Sequence, residues 1–289
     1  MGIDIKVRKF GYVSEEELDH IISVIKDCYE RIGRGKRLEL DLYVFPDSKS
    51  AISFMNREKE ALGVVSSEFG HRFLATHDAW RGRPRIMLRM DALRKVQPLV
   101  REGCLRHEVG HSILHGSPEY YRFPIPSSLL SLGVEFGLSI KSLYNILYLI
   151  SVSVKDYEVT RLLVNNGFVE DQVAYVSYLL EPDLEDLRAY EMARTSREGM
   201  ALYLTSIVRL IGCCAPLIRE GSYRKDVLER LNLRLAHLPN EIRIRLFEVG
   251  IGGMLLLGED TFSNVNFISD LLTRTILRHI LSNRGFDAN

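Results

Sequence analysis

The five residues His107-Glu108-Val109-Gly110-His111 constrain this chain more than any other stretch. On a helix, histidines at i and i+4 share one face, close enough for both imidazoles to grip a single ion. Glu108 follows the first of them, where a carboxylate reaches a water on that ion without being a ligand itself. With 8 histidines in 289 residues, a random chain of this composition holds the pattern roughly once or twice in a hundred trials. The flanks favour a helix. Pro98 suits a first turn, Gly116 followed by Pro118 stops one, and nothing between them breaks it. Cys104, His107, His111 and His115 then fall along one face.

Two histidines do not complete a site. A catalytic zinc takes three protein ligands and keeps one position open, whereas a structural zinc takes four. His115 lies two turns, roughly 12 Å, from His107 along the axis, so one ion cannot hold all three histidines. It is therefore read as a packed core residue, or else as a group that supports a ligand. The longer pattern H-E-x-x-H-x-x-G-x-x-H fails, because Leu114 and Ser117 stand where Gly and His are required. The third ligand is sought in Ser151 to Leu163. There Asp156 falls on the apolar row Leu149, Val152, Val159 and Leu163, and a carboxylate on such a face is costly unless paired or bound to metal. Glu158 is the alternative; it sits about 200° round the helix, where Arg161 could satisfy it. Glu135 is the third choice. Whichever of Asp156 and Glu158 is not a ligand could still orient a ligand histidine.

Upstream, Ser14-Glu15-Glu16-Glu17 reads as a capping box ahead of a helix with Leu18, Ile21, Ile25, Cys28 and Ile32 at helical spacing, ended by Gly33 and Gly35. Leu38, Leu40, Leu42 and Val44 alternate with polar residues as a strand. Ser50 to Leu62 is a helix ended by Gly63. Phe73 to Thr76 is a strand, Arg81-Gly82-Arg83-Pro84 a turn, and Ile86, Leu88 and Met90 alternate as a further strand. After the proline-rich connection 117–126 the chain reads as helix almost throughout, in segments from Ser128 to Phe136, Ser139 to Asn165, Glu170 to Leu180, Asp183 to Arg197, Gly199 to Leu217, Tyr223 to Leu235, Asn240 to Leu257 and Phe262 to Asn283. The fold class is thus α+β: a small N-terminal sheet packed on the metal-site helix, then a mostly helical C-terminal region. The corresponding domains are 1–126 and 127–289, the second supplying the third ligand.

The order helix, strand, helix, strand, turn, strand, metal-site helix resembles the upper half of zincin metallopeptidases. In that family the strand nearest the site offers its edge to an extended substrate, which here would be Arg85 to Met90, pairing by β-augmentation. The same stretch also reads as an ordinary edge strand guarded by arginines. His107-Glu108-Val109-Gly110-His111-Ser112-Ile113-Leu114-His115 resembles the helix of minimal gluzincin-type and ImmA/IrrE-like metallopeptidases. The Asp156-Tyr157-Glu158-Val159 segment is similar to the acidic ligand helix of archaeal and bacterial zincin-like proteins. The resemblance covers roughly residues 37 to 165 and is specific only over the five-residue motif. It implies zinc on His107 and His111, Glu108 as general base, and an acidic third ligand from the helices that follow. The chain departs from the thermolysin pattern in having no N-E-x-x-S-D downstream.

The expected function is zinc-dependent hydrolysis of peptide bonds, with a peptide or protein as substrate. Tyr120, Tyr121, Tyr157 and His115 are candidate donors to the oxyanion. The alternatives are a proteolytic regulator restricted to one partner protein, and a non-catalytic module in which zinc pins the structure together. Charge argues against other partners. With 38 basic and 38 acidic residues and no long run of either sign, nothing favours nucleic acid or an anionic membrane. Arginines such as Arg224, Arg230 and Arg234 are interleaved with acids and read as solvated helix faces. Cys28, Cys104, Cys213 and Cys214 form no C-x-x-C pair, and the N-terminus lacks the build of a secretory signal, so reduced thiols in a cytoplasmic protein are expected. The apolar stretch 143–154 is too short to span a membrane, and 201–217 carries Arg209 at its centre, so no membrane span is expected.

Overall fold

The computed structural model describes residues 3–33, 39–62 and 73–282. Gly35, Leu38, Gly63 and Asn283, read above as element ends, lie outside the described residues. The fold is α+β, with a small four-stranded sheet in the N-terminal part and helices throughout the C-terminal part.

In chain order the N-terminal elements are β1 (Asp4–Lys9), α1 (Glu15–Ile32), β2 (Glu39–Phe45), α2 (Ser48–Leu62), β3 (Ala75–Asp78), β4 (Arg85–Arg89), α3 (Met90–Leu93) and α4 (Pro98–Leu114). A single 3-10 turn, Pro118–Tyr121, follows. Next come α5 (Ser127–Phe136), α6 (Ile140–Asn165), α7 (Val169–Leu179), α8 (Leu184–Ala193), α9 (Arg197–Glu220), α10 (Arg224–Arg234), α11 (Asn240–Phe247), α12 (Thr261–Leu272) and α13 (Arg278–Ser282). The chain forms two compact units. The first is Met1–Arg122 with Leu162–Tyr175, and the second is Phe123–Arg161 with Val176–Asn289.

In the first unit the sheet order is β1-β2-β4-β3. β1, β2 and β4 run parallel, with Val7 beside Leu42 and Leu42 beside Ile86, whereas β3 lies antiparallel to β4 with His77 opposite Ile86. β1 is a strand not expected from the sequence, although Ile5 and Val7 alternate with Lys6 and Arg8 there. The order corrects one expectation. The outer strands of the described sheet are β1 and β3, whereas β4 is hydrogen-bonded on both sides, so Arg85 to Met90 offers no edge to a substrate. Its arginines do not guard an edge either. Arg85 is only 4% exposed, held between Glu58 (2.6 Å) and Asp78 (2.8 Å), with its guanidinium over the Tyr43 ring. Those two acids meet the cost of burying its charge.

Both faces of the sheet are covered. Tyr43, Phe45 and Met87 form a core with Ala51 and Met55 of α2. Alternation turns Leu42, Val44, Ile86 and Leu88 to the opposite face, where all four are fully buried. α4 packs on β3, β4 and α1. The expected capping box starts α1: Glu17 N–H donates to Ser14 Oγ, and Ser14 N–H donates back to the Glu17 carboxylate.

In the second unit α8, α9 and α12 start where short polar side chains cap them. Asp183, Ser196 and Asp260 each accept a backbone N–H of the following first turn. Gly137 takes φ +67° and ends α5. α9 is the one helix among the described residues long and apolar enough to cross a membrane by length and composition, and 72% of its most apolar window is buried within the protein. The stretch expected as one helix from Asn240 to Leu257 is helical only to Phe247; it continues as a wider π turn over Glu248–Gly253 and closes as a short 3-10 turn.

Candidate metal centre

α4 is the platform of the site, and its rotation is fixed by contacts inside the first unit. Gln97 stands at its N-cap with Pro98 in the first turn, and His115 caps its C-terminal end. Tyr29 of α1 shares a buried hydrogen bond with Ser112, whose hydroxyl also donates to Val109 O at 2.6 Å. On another side, Arg106 pairs with Asp171 at 2.6 Å and lies over the Phe168 ring, while the buried Gln172 amide donates to Gly103 O at 3.0 Å. Gly103 permits this approach. A Cβ there would meet Asp171 O at 2.2 Å.

With α4 held in this way, His107 and His111 stand as the spacing demands. Their ring centroids are 4.9 Å apart with planes at 79°. His107 is 3% exposed and packs against the Tyr175 ring at 5.3 Å, and His111 is half-buried. Glu108 is also buried. Burial raises the Cys104 thiol pKa well above its ordinary value, and the nearby Glu108 charge adds to the rise.

Asp156 is 2% exposed on the apolar row of α6. One ligand atom from each of His107, His111 and Asp156 lies within 4.8 Å of the others, a group that could hold a metal ion. The Asp156 carboxylate also accepts from Arg209 Nε at 2.5 Å, which helps to meet the cost of burying it. Beside it, burial lowers the Lys155 pKa to about 8, against the opposing pull of the Asp156 and Glu158 charges.

The other carboxylates named from the sequence are placed elsewhere. Glu158 is not in the group: its two oxygens accept from Thr261 Oγ1 (2.8 Å) and Asn264 Nδ2 (2.6 Å). Nor does Arg161 satisfy it, because that guanidinium donates to the carbonyls of Leu257 and Gly258. Glu135 is exposed and pairs with Arg278. These placements follow from helix geometry, since residues two apart on a helix point in widely different directions.

His115 is buried, as expected for a core residue, yet its role is more specific than packing. Its Nδ1 lies 3.3 Å from Nδ1 of His111, and its ring packs edge-on against Tyr120. A histidine that gives Nδ1 to a neighbour offers Nε2 to an ion, and the neighbour fixes its tautomer. His77 is a residue that sequence reasoning missed. It lies on the edge strand β3, stacks on His111 at 6.0 Å with planes 9° apart, and shares a 3.0 Å hydrogen bond between Nδ1 and the Tyr121 hydroxyl. A lone histidine in a four-residue strand carries no spacing signal; only the fold brings it to α4.

No protein-family model, curated protein or solved structure matches this chain.

Proposed function

We propose that this protein is a zinc-dependent hydrolase of peptide bonds of the zincin type, acting in the cytoplasm. The observation that carries the reading is the assembly of His107, His111 and Asp156 with Glu108 next to the first histidine on the same helix. The donor set fits zinc. Two imidazoles and one carboxylate are a hydrolytic complement, and the three ligand atoms lie within 4.8 Å of one another. The four free, buried cysteines accord with a reducing compartment.

Zinc, when bound, supplies Lewis acidity towards a carbonyl oxygen and makes a water acidic near neutral pH. The protein's own groups do the rest. His111 is kept in one tautomer by His115, and Asp156 is steadied by Arg209. The Glu108 carboxylate takes a proton from the attacking water and passes it to the nitrogen of the leaving amine. An extended peptide would lie along the outer edge of β3, in place of the β4 edge expected from the sequence.

The experiment is Glu108→Gln, tested on a mixed peptide library read by mass spectrometry. Zinc content should stay at the wild-type level while cleavage falls by about a thousandfold. Cleavage at the wild-type rate removes Glu108 as the base. A second reading has its own support, because His107, Glu108 and Asp156 are each less than one-tenth exposed. A site so enclosed also suits zinc that stabilises a non-catalytic module, in which case Glu108→Gln changes nothing and chelation unfolds the chain.

A further inference from the structure

A concavity whose described lining belongs to the first unit lies at the far end of α4 from Pro98. Its volume is about 420 Å³, within the range of roughly 300–1,000 Å³ typical of ligand sites. Glu39, Arg83, Pro84, Ile113, Glu119 and Tyr120 contribute to its walls. The turn at its base is tightly built. A side chain at Gly116 would meet Ser112 O at 2.2 Å and Pro84 Cγ at 3.0 Å.

Among the described lining residues the charges are unequal, two acids against one cation. Arg83 is the cation of the described lining, and it is already matched by Glu39 and, at 3.8 Å, by Asp41. Glu119, in contrast, is exposed. The C-terminal turn of α4 adds to the negative side, because the carbonyls of the last turn carry the negative end of the helix dipole. Tyr120 presents an aromatic ring beside them, and rings of this kind attract cations. Pro84 and Ile113 supply apolar wall.

We propose that this concavity binds the positively charged side chain of a lysine or arginine carried on a peptide. Such a side chain pairs an apolar stem with a cationic tip, which matches Pro84 and Ile113 on one hand and Glu119, the helix end and Tyr120 on the other. An acidic side chain would meet Glu119 and the helix end instead, both of the wrong sign. The site needs no metal, so it does not rest on the hydrolase reading. Because Tyr120 packs on His115, its occupant would lie two side chains from His111.

The test uses the purified chain with its zinc content measured alongside, so that loss of the metal reading and loss of this one are told apart. N-acetyl-lysine N-methylamide and its arginine, norleucine and glutamate counterparts are titrated while backbone amide shifts are followed by NMR. The lysine and arginine probes should shift amides of 113–116 and 119–120 and bind about tenfold tighter than norleucine, with affinity falling as salt rises. Glu119→Lys should abolish their binding, and Glu119→Gln should weaken it about threefold or more. Glu119 is exposed, so both variants are expected to keep the wild-type spectrum elsewhere. Equal binding of norleucine, tighter binding of glutamate, shifts confined to other residues, or unchanged binding by Glu119→Lys would each overturn the proposal.

Discussion

Gly103→Ala sets two physical effects against each other on the helix that carries the metal ligands. Intrinsic propensity favours alanine in a helix by about 1 kcal/mol. Packing opposes it. The new Cβ would stand 2.2 Å from Asp171 O and 2.9 Å from both Asp171 C and Tyr175 Cβ, so α7 must retreat from α4 by about 1 Å before ordinary contact is restored. Overpacking of this kind costs about 1–3 kcal/mol. The same retreat stretches the 3.0 Å bond from Gln172, a fully buried side chain, to Gly103 O, and stranding that pair costs about another 1–3 kcal/mol. Packing wins by about 3 kcal/mol, which lowers the midpoint of thermal unfolding by about 6–12 °C for units of this size. Gly252→Ala is the control. Beyond its own helix backbone and chain neighbours, no described atom lies within 4 Å of its Cβ position, and the substitution should be neutral or stabilise by up to about 1 kcal/mol. Thermal and urea unfolding of both variants decide the matter. A Gly103→Ala protein as stable as wild type would refute the close seating of α7 on α4.

Two further perturbations address charge and the support of the ligands. Glu17 is held at a pKa of about 2, chiefly by hydrogen bonds from Arg94 (2.7 and 2.8 Å) and then by Ser14. A depressed carboxylate stabilises the fold above its unfolded pKa, near the ordinary 4.5, and that contribution is lost as pH falls through about 2. Glu17→Gln keeps a capping residue and removes the charge, so it should cost about 1 kcal/mol at pH 7 after allowance for solvent screening, and nothing near pH 2; an equal gap at both pH values would contradict this. His115→Ala should weaken zinc binding by about 10–100-fold, with partial recovery in His115→Gln, and competition with a chromophoric chelator measures it; unchanged affinity would show that His115 only packs.

Much of the architecture can be read from residue order because its signals are local. Ser14 with Glu17, Pro98, and Gly137 act within one turn, and each marks a helix end where the sequence predicts one. The i, i+4 histidines likewise need nothing beyond their own helix. What sequence reasoning misplaces depends on partners far along the chain. Alternating arginines in β4 look like a solvent-facing edge until Glu58 and Asp78 are seen to neutralise Arg85. β1 is short and charged, and only its pairing with β2 makes it a strand. Asp156 and Glu158 are two acids in one helix, and their fates are decided by Arg209 on one side and by Thr261 and Asn264 on the other. His77 reaches His111 through the register of β3 on β4, which no local pattern records.

In the proposed site two imidazoles of α4 and the Asp156 carboxylate hold one divalent ion. Elemental analysis of the purified protein, set beside His111→Ala, Asp156→Ala and Glu158→Ala, tests it most directly. About one zinc per chain is expected in the wild type and in Glu158→Ala, and almost none in the other two variants. Wild-type protein without zinc, or zinc retained when His111 or Asp156 is removed, would contradict it.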